Sequence, residues 1–300
     1  MQEPELPDSL TSEQQRIVRG LSEEVGGIAG VAAVVLGGSH ARGRSRPGSD
    51  IDLGVLRDES EPVDIEALRA IAGRWHTGSS APTVTEPGEW GPWVDGGAWL
   101  EIDGTRVDLL YRSFDLVERV WRDAQAGRFE HHWGQQAPFG FFGPTVLGEI
   151  QICRGLHGAL ARVESWKQRV ADYPPALRAK VVRALLWQVE FNLTAFLPKF
   201  CAHEDAYGAS GCLARAAYHL VLVLFALNER YPVNDKTALD EIGEMPRAPD
   251  AFGRRVRALL ATVGADAAAL TDSRAQMVAL FREVTELAGE LYTARGTLGD

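Results

Sequence analysis

The stretch Leu36-Gly37-Gly38-Ser39-His40-Ala41-Arg42-Gly43-Arg44-Ser45-Arg46-Pro47-Gly48-Ser49-Asp50-Ile51-Asp52-Leu53 decides how this chain folds. The apolar run Val31 to Leu36 leads into it and reads as a buried strand stopped by two glycines. Gly38-Ser39 then stands at an expected helix start. Unpaired backbone N–H groups and the helix dipole hold phosphate at such a place, and a glycine lets the backbone approach closely. Arg42, Arg44 and Arg46 follow at once, a local basic patch suited to polyphosphate charge. Asp50 and Asp52 are two apart on the next expected strand, Asp50 to Leu56, so both carboxylates leave one face while Ile51 and Leu53 enter the core. Like charges this close repel unless a cation lies between them, and paired carboxylates bind Mg²⁺ together with substrate phosphates.

A third carboxylate is placed by strand register. Asp103-Gly104 is a two-residue hairpin signal between the strands Trp99–Ile102 and Thr105–Tyr111. With that turn, Ile102 pairs with Thr105, Glu101 with Arg106, Leu100 with Val107 and Trp99 with Asp108. One face, Leu100, Ile102, Val107 and Leu109, is core. The other carries Trp99, Glu101, Arg106 and Asp108 and is too polar to be buried without purpose. A longer loop would shift the register and separate this set.

In chain order, Gly38-Ser39, Asp50-Ile51-Asp52 and Val107-Asp108-Leu109-Leu110 resemble the nucleotidyltransferase superfamily of DNA polymerase β type, over about residues 25–115. The chain's size and helical second half look most like the members that adenylylate aminoglycosides or lincosamides. The resemblance implies that Gly38, Ser39 and Arg42 or Arg44 hold the nucleotide, ATP or another nucleoside triphosphate. It implies that Asp50 and Asp52 bind Mg²⁺, with two ions expected, and that Asp108 is a third carboxylate, as metal ligand or as base. Glu101 is the second choice for the base, against the plainer reading of a cross-strand ion pair with Arg106. The implied reaction is in-line attack of a substrate hydroxyl on the α-phosphorus, with pyrophosphate leaving. Two alternatives stand beside it: a nucleotidyltransferase that modifies a protein or RNA partner, as in toxin–antitoxin modules, and a non-catalytic nucleotide-binding module.

Charge narrows the partner. Lys and Arg total 31 against 41 Asp and Glu, a net charge of −10. Residues 1–145 hold 13 basic and 23 acidic side chains, whereas residues 146–300 hold 18 of each, so the excess lies wholly in the first half. Nucleic-acid affinity comes largely from neutralising phosphates, so this balance argues against a nucleic-acid partner and for a small, cationic, hydroxyl-bearing one. The segment Glu86-Pro87-Gly88-Glu89-Trp90-Gly91-Pro92-Trp93 mixes carboxylates with indoles, which bind ammonium groups by charge and cation–π contact, so Glu89, Trp90 and Trp93 are candidate substrate contacts. Trp187 and Glu190 share a helix face and are further candidates.

The fold expected is α+β: a nucleotidyltransferase domain with a mixed sheet flanked by helices over residues 1–143, then an all-helical, substrate-binding bundle over 144–300. Helices are expected over 11–25, 64–75, 145–171, 175–197, 209–230, 234–242, 250–263 and 271–295, the last capped by Thr271 or Ser273. Residues 77–97 read as a long loop. The longest apolar run, Leu220 to Leu227, is far short of a membrane span, and the acidic, proline-punctuated start is unlike a signal peptide. Cys153, Cys201 and Cys212 are odd in number and form no CxxC pair, which suits reduced thiols. A cytoplasmic protein, monomer or homodimer, is expected.

Overall fold

The computed structural model describes residues 5–295. Thr11 opens the first helix with a reciprocal cap: its hydroxyl accepts the Gln14 N–H at 3.2 Å while its own N–H donates to the Gln14 side chain at 3.0 Å. That helix, α1 (Ser12–Gly26), turns Ile17, Val18, Leu21 and Val25 into a core. The chain forms two compact units. One runs to Arg122 and resumes over His131–Ala171; the other takes Asp123–Glu130 and the described chain from Asp172 onward.

The first unit continues with β1 (Ala33–Leu36), α2 (Gly38–Ala41), β2 (Ile51–Arg57), α3 (Ile65–Trp75), β3 (Thr83–Val84), β4 (Gly97–Ile102) and β5 (Thr105–Ser113). Then come α4 (Phe114–Gln125), β6 (His131–His132), β7 (Phe141–Phe142), α5 (Thr145–Ile152), β8 (Arg154–Gly158) and α6 (Leu160–Arg169). Six strands form one mixed sheet in the order β3-β4-β5-β2-β1-β8, in which β2 and β5 run parallel and every other pair is antiparallel. Parallel neighbours need a crossover, which α3 and the β3–β4 segment supply. Ile51, Leu53 and Val55 of β2 and Val107, Leu109 and Tyr111 of β5 are wholly buried beneath this pair. The β4–β5 hairpin turns at Asp103 (φ 49°) and Gly104 (φ 78°), both left-handed as a two-residue hairpin of primed type demands, and the expected register from Trp99↔Asp108 to Ile102↔Thr105 is the one observed.

Three expectations are corrected. No single helix spans 145–171: α5 stops at Ile152, β8 follows, and α6 resumes. The apolar residues on either side keep helical spacing, which hides the break, but Gly158 (φ 86°) lies so close to β1 that a Cβ there would meet the Ala32 carbonyl oxygen at 2.4 Å. Because β8 pairs with β1 in the first unit, the division does not fall at 143/144. Helix α4 has no counterpart among the sequence expectations.

Among its described residues the second unit has helices and no strands: α7 (Pro175–Phe191), a π-helical turn over Asn192–Phe196, α8 (Leu197–Ala202), α9 (Ala206–Leu227), α10 (Ala238–Ile242), α11 (Phe252–Ala261) and α12 (Ala267–Ala288). The π turn falls just before Pro198, which has no N–H to donate and would crowd a normal turn. Every residue from Ala216 to Leu227 is buried, so α9, although long and apolar enough to cross a membrane, is the core of this unit. The cap of α12 is Asp266, which accepts the Ala269 N–H at 2.9 Å; Thr271 instead bonds the Ala267 carbonyl within the helix.

A buried ion pair fastens α5 to the sheet. Arg112 on β5, 8% exposed, donates from Nε and Nη2 to the two oxygens of Glu149 at 2.6 and 2.8 Å. Removing the carboxylate strands a buried guanidinium. Glu149→Ala is therefore expected to destabilise the protein by about 3 kcal/mol in urea unfolding, whereas Arg106→Ala at the exposed Arg106–Asp50 pair is expected to cost less than about 1 kcal/mol.

Candidate functional site

The parallel register sets Asp52 directly beside Asp108 on adjacent strands, on the same face, since Ile51↔Val107 and Leu53↔Leu109 point the other way into the core. Each carboxylate stands on an alternating strand whose apolar residues are fixed below it, so neither can swing away without moving the sheet. On the next strand, β1 ends and turns at Gly37, whose N–H donates to the Asp52 carbonyl at 2.8 Å. Gly38 is left-handed (φ 58°) and its Cα lies against the Asp52 carboxylate: an added Cβ would sit 1.7 Å from Asp52 Oδ2. Ser39 follows in the single helical turn α2, and the Ser39 carbonyl accepts the Arg44 N–H at 2.9 Å, which folds the arginine-bearing loop back on the turn. Arg42 and Arg44 are half-buried within that loop.

His40 is buried behind the turn. Its Nδ1 lies 3.2 Å from the Ser9 hydroxyl, and burial lowers its pKa, so the imidazole is neutral near pH 7 and adds no charge to the site.

Asp50 takes a different place from its two companions. It precedes β2 and accepts a hydrogen bond from Arg106 Nε at 2.6 Å. Arg106 therefore does not pair with Glu101, its register partner, which is exposed at the end of β4. Arg106 and Trp99, which the sequence reading set on this face without giving them a role in the site, do lie there. Register alone already lined both up with the acidic residues.

The carboxylate donors are all oxygen, the hard-ligand chemistry of Mg²⁺ or Mn²⁺, and the missing Cβ of Gly38 lets the turn lie directly against the Asp52 carboxylate. Asp52 and Asp108 fit a divalent cation. Among the described residues, no three His, Cys, Asp or Glu side chains are gathered as one ligand cluster, and Asp50 is paired with Arg106.

The expected substrate contacts separate. Trp90 is half-buried and stacks on Trp99 with ring centroids 4.5 Å apart, and Glu89 is exposed beside it, its carboxylate accepting the Glu86 N–H at 2.9 Å. Trp93 is buried and stacked on Phe141 at 5.4 Å, a packing residue. In the second unit, Trp187 is 44% exposed and stacks on Phe191 at 5.3 Å. Glu190 is turned inward instead of sharing that open face: it accepts the Tyr292 hydroxyl and, at 2.7 Å, the Arg295 N–H. Those partners lie about a hundred residues away, so helix spacing could not reveal them. All three thiols have their pKa raised by burial, Cys153 to about 12, which keeps them protonated.

Comparison with known proteins gives matches to two family models. The model of the nucleotidyltransferase domain matches residues 15–119, and a domain of unknown function (DUF4037) matches residues 145–236. No curated protein matches. A nucleotidyltransferase-like protein from Exiguobacterium sibiricum 255-15 is similar at 11% identity and a TM-score of 0.46, over 92% of this chain and 77% of that one. The first match, about a third of the chain, contains the glycine turn, Asp50, Asp52 and Asp108, and it supports a place for these residues in the nucleotidyltransferase superfamily.

Proposed function

We propose that the protein moves a nucleoside monophosphate, AMP from ATP in the first instance, onto a hydroxyl of a small cationic molecule of aminoglycoside or lincosamide type. The observation that carries this reading is the Asp52↔Asp108 register beside Gly38, within a nucleotidyltransferase domain. The net charge of −10, contributed by the first half of the chain, supports a cationic acceptor.

In this reading Gly38 and Ser39 approach the triphosphate through their backbone, and Arg42 or Arg44 offsets its charge. Asp52 and Asp108 hold the cation, and Asp50 joins them by exchanging Arg106 for it. Mg²⁺ bound there would offset the negative charge that builds on the phosphoryl oxygens, a second ion doing so for the leaving group. The acceptor oxygen forms its bond to the α-phosphorus as the bond to the bridging oxygen breaks, and pyrophosphate departs. The hydroxyl proton passes to a carboxylate, Asp108 or the exposed Glu101.

Pyrophosphate release with Mg²⁺ and each of ATP, GTP, CTP and UTP, across a panel of aminoglycosides and lincosamides, is expected to give an acceptor heavier by one nucleoside monophosphate in mass spectrometry. Asp50→Asn and Asp52→Asn are each expected to abolish turnover without moving the thermal melt; activity retained in both sinks the metal assignment. Of Glu101→Gln and Asp108→Asn, the one that removes the base should lose about 10²–10⁴ in kcat with nucleotide affinity unchanged. Loss of Mn²⁺ binding in Asp108→Asn would instead mark that residue as a ligand. Gly38→Ala displaces the Asp52 carboxylate and should cost about 10²-fold in kcat, the usual penalty for an ångström of misplacement.

A further inference from the structure

The face that carries Asp52 and Asp108 extends as one row across the sheet. Gly37 and Gly38 close β1, then come Asp52 on β2, Asp108 on β5, Trp99 on β4 and Thr83 on β3. Neighbouring strands lie about 4.8 Å apart, so Trp99 is one strand removed from Asp108, on the side away from the glycine turn. In-line displacement sets the entering oxygen and the departing pyrophosphate on opposite sides of phosphorus. If phosphates lie at the β1–α2 turn, the acceptor enters over β5 and β4, where Trp99 stands.

Trp99 keeps 50% of its surface in water even though its ring stacks on Trp90, the planes inclined by 23°. The segment bearing Trp90 is firmly held. Gln135 donates to the Trp90 and Val94 carbonyls at 3.0 and 2.8 Å and accepts the Trp93 N–H at 2.9 Å. Asp95 is paired with Arg57 at 2.6 Å. The indole pair is thus preorganised, and a ligand resting on it orders little. Its neighbours in register and in sequence include carboxylates: Asp108 is the register partner of Trp99, Glu101 lies two residues along the same face, and Glu89 precedes Trp90. Arg106, the basic residue of this face, donates to Asp50. Electron-rich ring faces among carboxylates attract a cation and disfavour an anionic nucleotide.

We infer that the Trp90–Trp99 pair is the platform for the acceptor and that it takes a protonated or quaternary amine. This rests on the nucleotidyl-transfer reading for the direction of approach, whereas the binding itself needs neither metal nor nucleotide. The test is NMR of the ¹⁵N-labelled indole groups without metal or nucleotide, titrating choline, its neutral isostere 3,3-dimethyl-1-butanol, and adenosine. Trp90→Phe and Trp99→Phe assign the two signals. Choline is expected to shift both and to bind about threefold to tenfold tighter than the neutral alcohol, in keeping with a partly exposed cation–π site. Trp99→Ala should abolish the choline shift of Trp90 with an unchanged thermal melt, and Trp99→Phe should retain part of it. An equal response to the neutral alcohol, a tighter response to adenosine, or an undiminished choline shift of Trp90 in Trp99→Ala overturns the platform. Turnover without a choline response would discard the platform and keep the transferase reading; a choline response without turnover on any acceptor would do the reverse.

Discussion

The parallel pairing of Ile51–Arg57 with Val107–Ser113 is the constraint on which the rest depends. It joins two strands separated by some fifty residues and buries both from beneath, so its register cannot slip by one residue without sending Ile51, Leu53, Val107 and Leu109 into water and the aspartates into the core. Hydrophobic burial therefore positions the charges. The apolar side of the sheet supplies the free energy that holds Asp52 and Asp108 next to each other, although their mutual repulsion opposes it. On the proposed function, a cation bound between them would relieve that repulsion.

Glycine at position 38 completes the arrangement from the neighbouring strand. The chain must leave β1 and turn within a Cβ's width of Asp52, and a left-handed residue without a side chain is the one that can do so. Asp50, outside the regular strand, is not fixed in this way and rests on Arg106. The three aspartates thus differ in constraint: two are set by the sheet and one by a side-chain partner.

Much of this was legible in the sequence because local signals and global topology agree. The turn Asp103-Gly104 dictates its hairpin, the hairpin dictates Trp99↔Asp108, and alternation sorts the faces. The spacing of Gly38-Ser39, Asp50-Ile51-Asp52 and Asp108 carried the fold of the first unit. What could not be read were contacts set by distant partners. Glu190 looked like an open helix-face residue until Tyr292 and the Arg295 amide were seen to close over it. Register sets Arg106 opposite Glu101, but its side chain reaches Asp50. Strand β8 was hidden inside a stretch of helical periodicity, since a five-residue strand flanked by helices leaves the spacing of apolar residues on either side almost in phase.

Strand β8 has a consequence for how the protein is put together. The chain passes between its two units at 122/123, 130/131 and 171/172, so neither is a contiguous cassette. A fragment ending near residue 143 would retain every aspartate of the site yet strip β1 of its outer neighbour, leaving a row of unpaired N–H and C=O groups free to zip onto another molecule. A breakpoint at 143/144 would create the same raw edge, whereas one at 171/172 would leave β8 in place on β1. A cut that spares the sheet edge thus lies beyond α6, well past the point where the aspartates of the site end.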